Sequence, residues 1–312
     1  MSLTRWEDTV SISFMKHGLA ALAVGALLTA GCGDSDSDTV AEESVPEAPA
    51  VELPVSVETT TDIAYTSERS LDIYAPTEGS DWPVVVYFHG GPPAPGARTD
   101  PETLTAIAEQ GVVVYAPDWR SLGPAGGSED SICAVAYAEA TAADHGGDAR
   151  AVTLSGYSTG GYTALIHGFM GDDPPLPVTD CLVDPVMRPP AAVAAGGTPL
   201  FAPEWARDGK LPVPAWTELT PEQVDQFDPE LVLGKNPTMV VNLFVGDDDQ
   251  GGLVAPPGGW PITDVNREYL PKLVEAGYAA ELIVVPGGHE LSPEGLESFT
   301  TMIVETATAA AG

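Results

Sequence analysis

Residues 151–161 read AVTLSGYSTGG, a short apolar run followed by a turn that matches the pattern G-x-S-x-G. The apolar run from Ala151 to Leu154 predicts a buried strand, and the segment from Tyr162 to Phe169 predicts a helix. Glycines on both sides of Ser158 let two backbones pack closely around a tight turn, so that the serine hydroxyl points out of the sheet. The pattern therefore predicts Ser158 as a nucleophile. The alternative is a serine in an ordinary glycine-rich turn between a strand and a helix.

The segments on either side of this stretch indicate a repeating order of strand and helix. Residues 55–60 and 70–74 alternate apolar and polar side chains around a polar turn, which predicts an antiparallel hairpin. Further strands are predicted at 84–88, 112–115, 191–195, 239–245 and 282–285, and helices at 101–110, 130–143, 264–275 and 293–308. A hairpin followed by such units predicts an α/β fold, with a mostly parallel central sheet and helices on both faces.

A serine hydroxyl is a weak nucleophile that needs a base and an acid. His289 lies in the sequence PGGHE after the last predicted strand, and this glycine-flanked loop can bring the imidazole over Ser158. We therefore predict His289 as the base, whereas His145 and His167 lie in helix-like segments and are expected to be surface or packing residues. The acid is expected after the preceding strand, which runs into three consecutive aspartates at 247–249. The residues alone leave the choice among these aspartates open.

An oxyanion hole is the remaining requirement, and it needs backbone N–H groups aimed at the carbonyl oxygen as this atom gains charge. The residue after the nucleophile, Thr159, is expected to supply one. The loop after the strand at 84–88 reads HGGPP and is expected to supply the other. Proline has no N–H, so this donor must be Gly90 or Gly91, and we favour Gly91. His89 is expected to brace the loop.

Taken together, these motifs resemble the α/β-hydrolase superfamily, and within it the carboxylesterase-like and lipase-like serine esterases with an HGG oxyanion loop. The resemblance covers residues 55–312, and the order serine, aspartate, histidine is the order of this superfamily. It implies Asp249 as the acid, with Asp247 as the alternate. It also implies that Trp119 lines the substrate pocket, and we predict Tyr157, inside the G-x-S-x-G pattern, as a second substrate contact.

Two positions depart from the pattern of these esterases. Pro92 stands where the HGGG-type loop has its third glycine, and Thr159 stands where these esterases often have alanine. The departures leave the subfamily and the acyl preference open, but they leave the expected reaction type unchanged.

The first 54 residues have a composition unlike the rest of the chain. Residues 1–31 are interpreted as a signal peptide, with Met1 or Met15 as the start, because a basic segment precedes a short apolar run. The ending LTAGC resembles a bacterial lipobox and predicts lipidation of Cys32; the alternative is an ordinarily cleaved secretory signal. Residues 32–54 are acidic and poor in large apolar side chains, which predicts a disordered tether. The expected location is the cell envelope, anchored at Cys32, or outside the cell.

Two long proline-rich insertions interrupt the hydrolase domain at 172–190 and 198–237. Long connections inside a compact domain are usually functional loops, and the second insertion is rich in aromatic residues, so we interpret it as a cap over the site. The alternative is surface decoration. With Cys32 assigned to the lipobox, Cys133 and Cys181 form an even pair in an exported protein, which predicts a disulfide. The alternative is two separate buried thiols.

Composition narrows the class of partner. The chain has 312 residues and a formal net charge of −34, which argues against nucleic acid as a partner and disfavours strongly anionic substrates. No residues have metal-ligand spacing, so no metal is expected. No cofactor is expected either, because a serine, a histidine and an aspartate suffice for the predicted chemistry. The only expected membrane contact is the lipid anchor, and the oligomeric state is left open.

The predicted function is a serine hydrolase that cleaves carboxylic esters of small molecules through an acyl-enzyme. The first alternative is a peptidase or amidase of the prolyl-oligopeptidase type. The second is a non-catalytic, envelope-tethered binding protein on a hydrolase scaffold. A third and weaker alternative is a calcium-binding module that uses the acidic residues at 247–249.

Overall fold

A single eight-stranded sheet organises the computed structural model, which describes residues 53–91, 99–120, 124–171, 178–184, 188–210, 220–252 and 259–312. The strand order is β1-β2-β4-β3-β5-β6-β7-β8. Strands β1 and β2 form an antiparallel hairpin, β2 pairs antiparallel with β4, and every other pair is parallel. The strands are β1 (Val57–Ala64), β2 (Ser70–Pro76), β3 (Trp82–Phe88), β4 (Val113–Pro117), β5 (Gly147–Tyr157), β6 (Ala192–Gly196), β7 (Val240–Gly246) and β8 (Ala279–Val285).

Helices cover both faces of this sheet. They are α1 (Pro101–Ala108), α2 (Pro124–Thr141), α3 (Thr159–Met170), α4 (Ala202–Arg207), α5 (Pro221–Gln226), α6 (Pro229–Val232), α7 (Ile262–Glu275) and α8 (Pro293–Ala311), with a 3-10 turn at Ala142–His145. Because side chains alternate along a strand, Val84 and Val86 pack towards α2, α3 and α7, whereas Val85 and Tyr87 pack towards α1 and α8. The predicted fold class, including the opening hairpin, is therefore confirmed.

The elements around the predicted nucleophile are longer than the sequence pattern indicated. Strand β5 spans Gly147–Tyr157 rather than 151–154, and α3 begins at Thr159 rather than at Tyr162. Glycine is a poor helix former, so the pattern placed Gly160 and Gly161 in the turn. In the structure both glycines lie in the first turn of α3, where they allow close packing against neighbouring backbone.

Part of the first insertion is fastened to the rest of the domain. Cys181 forms a disulfide with Cys133 of α2, and it also pairs with Thr66, in the turn between β1 and β2. The carboxylate of Glu129 accepts hydrogen bonds from the backbone N–H groups of Thr179 and Asp180. The predicted disulfide is thus present, and it holds residues 178–184 against α2 and the hairpin.

The described part of the second insertion, 198–210 and 220–237, is also attached to the core. The ring of Phe201 lies 4.6 Å from that of Trp205 and 5.7 Å from that of Trp260, measured between centroids. The hydroxyl of Tyr162, on α3, donates to the carbonyl oxygen of Phe227. The aromatic residues of the predicted cap therefore bind it to the helix after the nucleophile and to the segment before α7.

The predicted signal peptide, Cys32 and most of the predicted tether lie outside the described residues. Among the residues that are described, no helix combines the length and the apolar composition that a membrane crossing requires.

Removing the disulfide is expected to lower stability. The variant Cys133→Ala/Cys181→Ala opens a link between residues 48 positions apart, so we expect it to lose about 2–4 kcal/mol of unfolding free energy, measured by urea denaturation. Reductant should lower the stability of the wild type by a similar amount and leave the double variant unchanged. Equal stability of wild type and variant would contradict this expectation.

Buried His167 makes stability depend on pH. It lies on α3 with Nδ1 3.3 Å from the Ser131 hydroxyl, and burial lowers its pKa to about 4. The unfolded pKa is about 6.5, so between these values the unfolded chain binds a proton that the folded chain does not, and stability falls with falling pH. Across this pH range, the free energy of unfolding should fall by about 3 kcal/mol in total.

The test compares the free energy of unfolding at pH 7 and pH 4 in the wild type and in His167→Gln. The wild type should lose more stability on acidification than the variant does. His145→Gln is the matched control, since it removes a partly exposed histidine. An unchanged pH dependence in His167→Gln would show that His167 does not carry the effect.

Candidate active site

Ser158 occupies a strained turn between β5 and α3. Its backbone has φ 57° and ψ −123°, an arrangement that costs a non-glycine residue about 1–3 kcal/mol unless its surroundings hold it in place. Its N–H donates to the carbonyl oxygen of Gly196, at the end of β6, over 2.8 Å. A side chain at Gly156 would place its Cβ 2.5 Å from the Phe88 carbonyl oxygen, and one at Gly160 would overlap the same oxygen. Close backbone packing therefore fixes the turn at the carboxyl end of the sheet.

His289 connects Ser158 to a buried carboxylate. Its Nε2 lies 2.9 Å from Ser158 Oγ, and its Nδ1 lies 3.0 Å and 3.1 Å from the two carboxylate oxygens of Asp249. A carboxylate has no hydrogen to give, so Nδ1–H is the donor to Asp249. In a neutral imidazole Nε2 is then free to accept the serine proton. The Asp249 side chain is fully buried, and that of His289 is 13% exposed.

The loop after β7 places Asp249, of the three aspartates, against His289. The Asp249 N–H donates to the hydroxyl oxygen of Thr263, which itself donates to the carbonyl of Gly246. The Gly251 N–H donates to Asp249 Oδ1 over 3.0 Å. These bonds aim the carboxylate at His289.

The alternate acid, Asp247, lies in a different position. It is exposed, and its Oδ1 accepts from the N–H of Gly287 over 2.9 Å. It therefore joins the loop after β7 to the loop that carries His289, while Asp249 makes the side-chain contact with the imidazole.

The HGG loop lies directly beside the serine. A Cβ at Gly90 would lie 2.7 Å from the Tyr157 carbonyl and 3.2 Å from Ser158 Cβ, so only glycine fits. His89 Nδ1 donates to the carbonyl of Gly90 over 3.0 Å. That carbonyl shares a planar trans peptide with the N–H of Gly91, so the two point in opposite directions. His89 therefore orients the predicted oxyanion donor, as its expected bracing role requires.

Trp119 lies under this loop rather than on an open pocket wall. It is 2% exposed, meets the ring of Phe88 edge-on at 5.8 Å, and lies 5.5 Å from the ring of His89. The following residue, Arg120, forms a two-pronged ion pair with buried Asp130. The predicted substrate contact is therefore corrected to a supporting position, because tertiary packing turns the ring inward.

Tyr157 has a similar supporting position beneath the base. Its ring lies 5.2 Å from the imidazole of His289 and meets Phe299 edge-on at 5.4 Å. Side chains at Gly196 and Gly197 would collide with this ring. The hydroxyl is buried and has no hydrogen-bond partner among the described residues, and burial raises its pKa, so the phenol stays neutral. The ring therefore supports the imidazole, and a substrate contact by the partly exposed Tyr157 stays a prediction.

Sequence reasoning missed two contributors to this arrangement. Thr263 anchors the acid loop from 14 residues further along the chain, and the Thr159 hydroxyl donates to the carbonyl of Gly91 over 3.2 Å. Both are ordinary threonines in the sequence; only the departure from alanine at 159 distinguishes one of them. Within the described ranges, no cluster of three histidine, cysteine or acidic side chains could hold a metal ion.

Known structures share this arrangement of strands and helices. A truncated carbohydrate esterase from gut microbiota superposes with a TM-score of 0.62 at 20% identity, covering 83% of this chain and 99% of that one. Esterase B from Lactobacillus rhamnosis gives 0.65 at 18% identity, covering 83% and 88%. The chain has the α/β-hydrolase fold. The hyperthermophilic esterase from the archaeon Pyrobaculum calidifontis gives a TM-score of 0.57 at 18% identity, covering 83% and 88%.

At the level of sequence the likeness to known proteins is more limited. The BD-FAE family model matches residues 71–181, a range that includes the HGG loop and Ser158 but ends before Asp249 and His289. No curated protein matches the chain significantly. The solved structures therefore establish the fold, and the geometry of the site is the basis for assigning an activity.

Adding one methyl group to the turn is expected to damage the site. In Gly160→Ala the new Cβ would overlap the Phe88 carbonyl and lie 2.7 Å from that of His89, so we expect a loss of at least about 1–3 kcal/mol of stability, read as a lower Tm. Gly295→Ala is the matched control. It also lies in the first turn of a helix, and its Cβ would meet nothing closer than 3.5 Å. A wild-type Tm for Gly160→Ala would refute the packing argument.

Proposed function

We propose that the chain is a serine hydrolase that cleaves carboxylic esters of small molecules. The observation that carries the proposal is the continuous hydrogen-bonded chain from Asp249 through His289 to Ser158, beside the HGG loop. Further support comes from the esterases that share the fold, a carbohydrate esterase and esterase B among them. A binding protein on the same scaffold would have no need for this geometry.

The reaction proceeds in two halves. Ser158 Oγ attacks the ester carbonyl carbon while its proton passes to His289 Nε2, and the tetrahedral oxyanion accepts hydrogen bonds from the N–H groups of Gly91 and Thr159. The tetrahedral intermediate then collapses: its bond to the alkoxide breaks, the imidazolium protonates the alkoxide, and the alcohol leaves while the acyl group stays on Ser158 Oγ. Water loses a proton to His289 and attacks the acyl carbon, and the released serine oxygen regains the proton with the free acid as product.

Asp249 keeps the imidazole in the tautomer that this sequence needs. Its carboxylate accepts the Nδ1 hydrogen and stabilises the positive charge that His289 gains in each half-reaction. Because Asp249 is fully buried, solvent weakens this interaction little.

Charge restricts the substrate class. The formal net charge of −34 repels anionic substrates, and the exposed carboxylates of Asp247, Asp248 and Glu290 lie beside the triad loops. Small or medium neutral esters are the substrates we propose. We further propose that the domain works in the cell envelope, held by a lipid on Cys32, or is secreted.

Labelling with a fluorophosphonate tests the nucleophile. The wild type should take up one label, mapped by mass spectrometry to Ser158, and should hydrolyse p-nitrophenyl acetate. Ser158→Ala should lose the label and about 10⁴–10⁶-fold in kcat. Ser155→Ala is the matched control, and it should keep the label: Ser155 lies on β5, three residues before the nucleophile, and its buried hydroxyl donates to the Ala194 carbonyl. A folded wild type that takes up no label and hydrolyses no ester would contradict the proposal and favour a binding protein.

The two candidate acids are separated by equivalent substitutions. Asp249→Asn should lower kcat by about 10³–10⁴-fold, because the amide no longer accepts the Nδ1 hydrogen in the required tautomer. Asp247→Asn keeps an oxygen that can accept the hydrogen bond from the Gly287 N–H, so it should change the activation free energy by no more than about 0.5 kcal/mol. Steady-state kinetics on one ester gives both values, and a larger loss in Asp247→Asn would reverse the assignment.

A further inference from the structure

The two proposed oxyanion donors, Gly91 and Thr159, lie in parts of the chain that share no helix or strand. An inference about how they are aligned rests on the proposed function. Gly91 follows β3, and Thr159 opens α3, 68 residues later. Both N–H groups must converge on one oxygen to within a few tenths of an ångström for full effect. Some contact must therefore fix one segment relative to the other.

On the α3 side, the donor is held by the backbone. The N–H of Tyr162 donates to the Ser158 carbonyl over 3.0 Å, which closes the first turn of the helix. A Cβ at Gly161 would lie 2.9 Å from the Gly196 carbonyl, so the start of the helix is packed against the end of β6. The Thr159 N–H therefore has a fixed direction.

On the loop side, the carbonyl oxygens of Gly90 and Gly91 each accept a side-chain hydrogen bond. Gly91 has φ +86°, and a Cβ there would meet nothing within 4 Å. The bond from His89 holds the peptide before Gly91. The peptide after Gly91 receives the hydrogen bond of the Thr159 hydroxyl, over 3.2 Å.

We propose that the Thr159 hydroxyl is a positioning group that locks the Gly91 loop to the start of α3, so that the two oxyanion donors keep a common aim. The same residue thus acts twice: its backbone N–H binds the oxyanion, and its side chain holds the segment that carries the second donor. The hydroxyl does not itself contact the reacting atoms.

The proposal is tested on the full chain with Thr159→Val, which keeps the shape and removes the hydroxyl, and with Thr159→Ser, which keeps the hydroxyl. Thr163→Val is the matched control, since Thr163 lies one turn further along α3 and is half-buried like Thr159. For each variant kcat and KM are measured on p-nitrophenyl acetate, together with Tm. The inhibition constant of a trifluoromethyl ketone, which forms a tetrahedral oxyanion on the serine, is measured as well.

We expect Thr159→Val to lower kcat by about 10- to 100-fold with little change in KM, and to weaken the ketone in parallel. Thr159→Ser should recover most of both losses, and Thr163→Val should match the wild type. Wild-type kinetics for Thr159→Val, a loss confined to KM, or an equal loss in Thr163→Val would each overturn the inference while leaving the ester hydrolase intact. An inactive, unlabelled wild type would instead overturn the proposed function itself.

Discussion

The close approach of glycine backbone at Gly156 and Gly160 to the carbonyl of Phe88 is the constraint on which the site depends. Phe88 ends β3, so the carbonyl that these glycines pack against belongs to the strand that leads into the HGG loop. The nucleophile and the oxyanion loop are therefore two sides of one backbone contact. Because no side chain intervenes, the end of β3 and the serine turn have little room to shift independently, and the positive φ of Ser158 is maintained by the packing around it. The Thr159 hydroxyl extends this connection to Gly91.

The triad itself places a charged group where water does not reach. A buried carboxylate is costly unless hydrogen bonds replace its hydration. Asp249 receives such bonds from the Gly251 N–H and from His289, and Thr263 fixes the backbone that presents it. The same bonds that make burial tolerable also set the tautomer of the base. The hydrogen bonds that stabilise buried Asp249 are thus the same ones that orient His289. They lie on loops that the sheet brings to a common edge.

Much of this arrangement could be predicted from the sequence, because it depends on local patterns of apolar residues, glycines and short motifs. The strand–helix alternation specified a parallel sheet, and such a sheet places Ser158 and the segments that carry Asp249 and His289 at the same edge. The position of Trp119 could not be predicted, because the direction of a ring depends on what surrounds it, and this ring turns under the HGG loop. The contact between Tyr157 and Phe299, 142 positions away, had no local signal either. The contribution of Thr263 had no local signal. The start of α3 was predicted too late, because Gly160 and Gly161 disfavour a helix locally but are required there for packing against neighbouring backbone.

The link between Cys133 and Cys181 also has a consequence for where the protein matures. Cytoplasmic thiols are kept reduced, whereas periplasmic and extracellular compartments allow disulfides to form and persist. If the domain is exported as proposed, the disulfide links segment 178–184 to α2 only after the chain has left the reducing cytoplasm. A chain retained inside the cell would keep the triad residues but lack this lock. In an exported chain, completion of the architecture would therefore depend on arrival in an oxidising compartment.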